Sequence, residues 1–136
     1  MRVAAVGIGV AALVVGGVLL WLRRRRMVVT VVGLSMEPTL RAGERLLARR
    51  GAAVTRDIVV IRNPKGDPPL LVKRLVASAG EELPAALGGG VVPAGRVAVL
   101  GDNAQHSLDS RHFGLLLVED VVGVALRRIG GGALDV

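Results

Sequence analysis

The pattern of apolar and polar positions cuts the chain in two near residue 26. Residues 3–22 carry no charge, and the run closes on Trp21 and Leu22 before Arg23, Arg24, Arg25 and Arg26. A helix rising about 1.5 Å per residue over such a run crosses a hydrocarbon layer of about 30 Å. A boundary tryptophan followed by a cationic block suits lipid headgroups, whereas a cleaved secretory leader has a shorter apolar centre and a small-residue cleavage site. Residues 1–26 are therefore expected to form a retained, single-pass transmembrane anchor with an arginine-rich flank.

Beyond the arginines the pattern changes to short β-branched runs. Residues 27–32 are Met-Val-Val-Thr-Val-Val and end at Gly33, which predicts a buried strand feeding a tight turn. Further strands are predicted at 45–48, 57–62, 70–77, 96–100 and 120–128, each bounded by Gly, Pro, Asn or Asp. No repeat period appears. The expected fold is mainly β: a small, partly closed β-barrel or sandwich over 27–130. Residues 81–87 have room for one helical turn, weakened by Pro84, and 131–136 read as a flexible tail.

Charge distribution changes the meaning of the net charge of +7. Residues 27–136 hold 13 basic against 11 acidic side chains, so the excess belongs mostly to the arginines around the apolar run. With one Trp, one Phe and no Tyr there is little to stack on bases, and no nucleic-acid partner is expected. The bilayer is the expected partner instead. The absence of cysteine excludes disulfides, thiolate nucleophiles and cysteine-held metals.

Three places carry candidate chemistry. Residues 101–114, Gly-Asp-Asn-Ala-Gln-His-Ser-Leu-Asp-Ser-Arg-His-Phe-Gly, are too polar and too rich in turn formers to be core. Ser35 stands just past the first strand, and Lys73 sits inside the apolar run 70–76. A serine hydroxyl needs a proton acceptor to become a nucleophile. His106 or His112 with Asp109 offers one route, and His106, Asp109 and His112 also have a metal-like spacing, though a bound metal needs its ligands on a rigid scaffold and Asp102 is the one nearby residue to add to them. Lysine is the other route. The chain has sixteen arginines and two lysines, Lys65 in a turn and Lys73 in a strand. Arginine cannot release its proton near neutral pH, whereas a lysine can have its pKa of about 10.4 lowered by several units on burial. Each residue also has a plain reading: Lys73 as a strand-edge side chain reaching water, Ser35 as a helix N-cap, and Asp102, Asp109 and Arg111 as turn and ion-pair material.

Taken together, four segments resemble the type I signal peptidase family of membrane-anchored Ser/Lys endopeptidases. They are Ser35-Met36-Glu37-Pro38-Thr39-Leu40, Arg56-Asp57-Ile58-Val59-Val60-Ile61, Val72-Lys73-Arg74-Leu75-Val76, and the run 101–114 with its Gly-Asp-Asn and Ser-x-Asp-Ser-Arg. The resemblance implies that Ser35 attacks the scissile carbonyl, that Lys73 is the general base and that Ser107 orients the lysine amine. Asp109 and Arg111 would be a structural ion pair, and the Ser35 N–H would stabilise the oxyanion. Met36 and Val72 would line shallow pockets for small residues at the first and third positions before the cut. No cofactor or metal is implied.

Gly33 stands where some members have a serine as second oxyanion donor, Ala79-Gly80-Glu81 replaces the usual Pro-Gly-Asp, and only 27 residues separate Lys73 from Gly101. That spacing leaves no room for the second β-domain of larger relatives and points to a minimal, single-domain member. The expected function is removal of signal or leader peptides from exported precursors. The alternatives are a dedicated maturation protease for one peptide or metalloenzyme precursor, or an anchored peptide-binding domain that does not cut. Arginines after the span favour a cytoplasmic domain by the positive-inside tendency, whereas the resemblance implies the extracytoplasmic side of the cell membrane, where such precursors emerge. Access to substrate decides for the latter.

Overall fold

A computed structural model describes residues 2–131 and 134. Helix α1, Arg2–Arg24, contains the whole apolar run, and from Gly7 to Arg24 none of it is buried against the rest of the chain. Its length and composition are those of a membrane span. Seven strands follow: β1 (Arg26–Thr30), β2 (Arg45–Arg49), β3 (Ile58–Arg62), β4 (Leu70–Ser78), β5 (Arg96–Leu100), β6 (Leu116–Leu117) and β7 (Val121–Arg128). They form one antiparallel sheet in the order β1-β2-β7-β3-β4-β5-β6, curled into a half-barrel. Register shifts at Leu47/Ala48, Val60/Ile61 and Leu75/Ala77 supply extra twist where the sheet bends.

Central β3 is apolar from Ile58 to Ile61 because both its faces are covered. Ile58 and Val60 enter one cluster with Val29, Met36, Leu40, Leu46 and Val72; Val59 and Ile61 enter a second with Leu75, Val97, Val99, Leu116 and Val124. The segment after β1 seals the first cluster through Val31, Met36 and Leu40, and Phe113 of the short helix α2 (Ser110–Phe113) packs on the second. Each fully buried Leu or Met there contributes about 1.5–3 kcal/mol of transfer free energy. The two polar segments are thus fastened to opposite faces of one sheet by apolar anchors.

Six strands fall where the β-branched runs place them. Beyond Thr30, Val31 still exchanges hydrogen bonds with Glu44 and Gly43, while Val32 is exposed and starts the turn. Ser35 caps no helix; residues 35–39 form a turn closed by the Leu40 N–H on the Met36 carbonyl. The helical turn near residue 85 is a single 3-10 turn at Ala85–Leu87. Two-residue β6 and four-residue α2 are too short for a periodicity to announce them. Of the expected tail, residues 132, 133, 135 and 136 lie outside the described residues, and Leu134 is buried in the first cluster.

Candidate active site

The site assembles where β4 and β5 end side by side. Their ladder runs to the pair Arg74↔Leu100, so Lys73 and Gly101 are the next residues along the two strands. Lys73 pairs with Val59 on its other side, and at 2% exposure it is a lysine enclosed by the sheet. Among the described residues it makes no ion pair. Burial, before anything else, lowers its pKa from the ordinary lysine value; the nearby Asp109 carboxylate pulls it up and the Arg111 guanidinium pushes it down. The strand-edge reading of Lys73 is therefore overturned: its amine does not reach out to water.

Gly101 is the point where the segments meet. A Cβ there would lie 2.6 Å from the Ser35 carbonyl oxygen and would overlap Ser107 Oγ, so only glycine allows the three to approach. The Asn103 N–H donates to that Ser35 carbonyl at 2.8 Å, and Asn103 Nδ2 donates to the Leu34 carbonyl at 3.1 Å. The structure thus brings Ser35, Ser107 and the neighbour of Lys73 into one corner. Ser35 is half-buried, and its N–H donates to no group among the described residues. Gly33, two residues before it, has φ of +78° in open space, a backbone state that disfavours a side chain.

The charged loop is held by a carboxylate with no solvent exposure. Asp109 Oδ2 accepts from the Ser107 hydroxyl at 2.7 Å, the Gly101 N–H at 2.9 Å and Arg111 Nη2 at 2.6 Å. Its Oδ1 accepts from the Arg111 N–H at 3.1 Å and Nε at 3.0 Å. Burial alone would raise the Asp109 pKa; hydrogen bonds from Arg111, Gly101 and Ser107 outweigh it and hold the carboxyl well below the usual range. Because Ser107 gives its proton to Asp109, its oxygen is left as an acceptor for whatever donor faces it.

His106 is exposed on a 3-10 turn, and His112 Nδ1 accepts the Asp109 N–H at 3.3 Å in a capping box around α2. With Asp109 engaged by five donors, the spacing of His106, Asp109 and His112 does not become a cation-binding cluster among the described residues. Met36 is fully buried and Val72 nearly so, both in the first cluster.

A second tie joins the same segments and was not singled out from the sequence. Arg74 grips Asp102 in a fork, Nε to Oδ1 and Nη2 to Oδ2, each at 2.8 Å, and Thr39 Oγ1 donates to the same carboxylate. Strand β4, the turn carrying Ser35 and the closing loop are thereby clamped together. The charge-assisted fork holds the Arg74 pKa up; Asp102, which burial alone would raise, is held down by Arg74 and Thr39. The only available signal was that Arg74 adjoins Lys73, and an arginine next to an acid-containing turn is too common a pattern to choose the partner.

Comparison with known proteins gives a consistent picture. The signal peptidase, peptidase S26 family model matches residues 3–86 and 81–129. A mitochondrial ATP-independent inner membrane protease subunit 1a of Arabidopsis thaliana is 35% identical over 113 residues, covering 73% of this chain and 67% of the relative. Signal peptidase I V of Bacillus subtilis (strain 168) is 29% identical, covering 69% of this chain and 80% of the relative. Mitochondrial inner membrane protease subunit 1 of Mus musculus is 33% identical over 98 residues, covering 64% of this chain and 59% of the relative.

Proposed function

As the chain belongs to the peptidase S26 family of signal peptidases, we propose that it is a membrane-anchored serine endopeptidase that removes N-terminal leader peptides from exported precursors. Ser35 is the nucleophile and Lys73 the general base. The neutral lysine amine takes the Ser35 hydroxyl proton as Oγ adds to the scissile carbonyl, and the resulting ammonium returns it to the departing amine. A water then attacks the acyl-enzyme, again giving its proton to Lys73, and Ser35 is released with its hydroxyl restored. The free Ser35 N–H donates to the oxyanion. Ser107, whose proton is committed to Asp109, accepts from the lysine amine and fixes its direction, and Arg111 holds Asp109 in place.

The observation that carries this reading is a lysine without an ion pair, nearly sealed from water, opposite the glycine where Ser35 and Ser107 meet. A structural ammonium would be given a carboxylate; this one is left in a place that favours its neutral form. Val72, backed by Met36 beneath it, underlies the small side chains of an extended peptide. The anchor is single-pass, and the domain stands on the extracytoplasmic face, where translocated precursors emerge.

Full-length protein in detergent, assayed on a precursor with Ala-x-Ala before the cut, provides the test. Ser35→Ala and Lys73→Ala should each lower the cleavage rate by about a thousandfold or more. Lys73→Arg should be as inactive as Lys73→Ala, since it keeps the charge and loses the base. The wild-type rate should rise with pH along a limb below the ordinary lysine pKa of about 10.4. Variants that cut as fast as the wild type would overturn the dyad, and binding of the precursor without cleavage would leave a peptide-binding domain.

A further inference from the structure

Where α1 leaves the membrane, the chain has built a second charged feature that shares no lining residue with the Ser/Lys corner. A cleft of about 350 Å³ opens between the end of the helix and the β1–β2–β7 side of the sheet, lined by Trp21, Arg25, Arg26, Arg49, Arg50 and Leu126 among others. No acidic residue lines it. The arginines are not spread by chance: Arg26 and Arg49 are direct cross-strand partners, and the Arg50 N–H donates to the Arg25 carbonyl at 2.7 Å, bringing two pairs of cations to one junction. Like charges directly opposite on neighbouring strands repel. None of the four makes an ion pair among the described residues. The repulsion is therefore left for something outside the chain to neutralise.

The surroundings specify what that is. Arg25 lies over the Trp21 ring, 4.3 Å from its centroid, which fixes the indole and the guanidinium together at the level where the span ends. On the membrane side the cleft adjoins an apolar groove along α1, lined by Gly16, Leu19 and Leu20 and running up to Arg23 and Arg26. On the sheet side, half-exposed Val28 pairs with Leu47 two rungs beyond the Arg26–Arg49 pair. A ligand matching this surface has a compact negative head and long apolar tails beginning at one depth in the bilayer.

We propose that this cleft binds the phosphate of an anionic phospholipid, its acyl chains lying along the Gly16–Leu20 stretch of α1. The inference rests on α1 spanning the membrane, and it gives the arginine block a specific use beyond general attraction to headgroups. Arginine is suited to the role, since its fork matches phosphate oxygens in pairs. A bound headgroup cancels the Arg26–Arg49 repulsion and holds the domain against the membrane face.

Trp21 is the only tryptophan in the chain and stands in the cleft, so its fluorescence reports the occupant. Full-length protein is reconstituted into phosphatidylcholine vesicles containing equal mole fractions of phosphatidylglycerol, with bromine on the acyl chains of one lipid or the other. Brominated phosphatidylglycerol should quench Trp21 several-fold more than brominated phosphatidylcholine. Arg49→Gln and Arg50→Gln, both outside the span, should each lower that preference by about fivefold, as should raised salt in part. Equal quenching by the two lipids, or a preference unchanged in the double variant, would overturn the lipid site. So would abolition of the preference by millimolar inorganic phosphate, which would mark a bare-anion site. Alkaline carbonate extraction of the same vesicles separates the underlying premise: protein released by it refutes the span itself, whereas protein that stays embedded without lipid preference refutes this proposal alone.

Discussion

The closing loop and the helix–sheet junction treat charge in opposite ways. Around Asp109 the charged side chains of the closing loop are partnered at hydrogen-bond distance, and the carboxylate takes five donors inside a protein wall. At the junction, exposed Arg26 and half-buried Arg49 face each other with no counter-charge from the described residues. A buried charge must be satisfied within the fold, because no water can do it; an exposed one can be left for the surroundings. Lys73 combines the two conditions, buried like Asp109 and without an ion pair like Arg49, and only a residue able to shed its proton tolerates that.

The largest effect should come from breaking the satisfied region. Asp109→Ala strands Arg111 and removes the acceptor of Ser107 and Gly101, and a loss of about 3 kcal/mol is expected in thermal unfolding of the detergent-solubilised chain at pH 7. Asp109 has a folded-state pKa below its unfolded one, so its contribution is full above about pH 4 and fades as pH falls below that value. The gap between wild type and variant should be flat from pH 8 to about 4 and narrow under stronger acid. A gap that widens in acid would reverse the sign assigned to Asp109.

An intermediate effect of the opposite sign is expected at Lys73. Lys73→Met removes a buried amine that costs stability, so the variant should be more stable than wild type by about 1–2 kcal/mol at neutral pH. Folding lowers the lysine pKa, so the unfolded chain binds more protons as pH climbs through the interval between folded and unfolded values. Wild-type stability rises across that interval, and the advantage of the variant should shrink toward pH 10.5. A variant less stable than wild type at every pH would mean the lysine is satisfied in a way its surroundings do not indicate.

The smallest effect belongs to the junction. Arg26→Gln removes the exposed member of a like-charge pair, and its unfolding temperature in uncharged detergent should rise by the equivalent of no more than about 0.5 kcal/mol. The rise should vanish in high salt, where repulsion across open solvent is screened. A drop comparable to that of Asp109→Ala would show that the two regions are not handled differently after all.

Much of this was legible in order along the chain. The span is a matter of length without charge, and the six longer strands stand out because β-branched residues between Gly, Pro and Asp leave few alternatives. Lys73 was legible by contrast, as one of two lysines in a chain that otherwise uses arginine. The clamp of Arg74, Asp102 and Thr39 was not, since its members lie 28 and 63 residues apart and each looks ordinary in its own segment. Nor was the destination of the Ser107 proton, which depends on the loop folding back over Gly101.

The amino-acid sequence alone determined where apolar surface recurs, which side chains can release protons near neutrality and where the backbone must turn, because these are properties of single residues and their near neighbours. The tertiary structure decided that β7 inserts between β2 and β3, that segments fastened to opposite faces of the sheet meet at Gly101, and that Lys73 is enclosed while Arg26 is left in the open. Enclosure and proximity are set by the sum of many weak apolar contacts across the whole sheet, and no local stretch of the chain carries that sum.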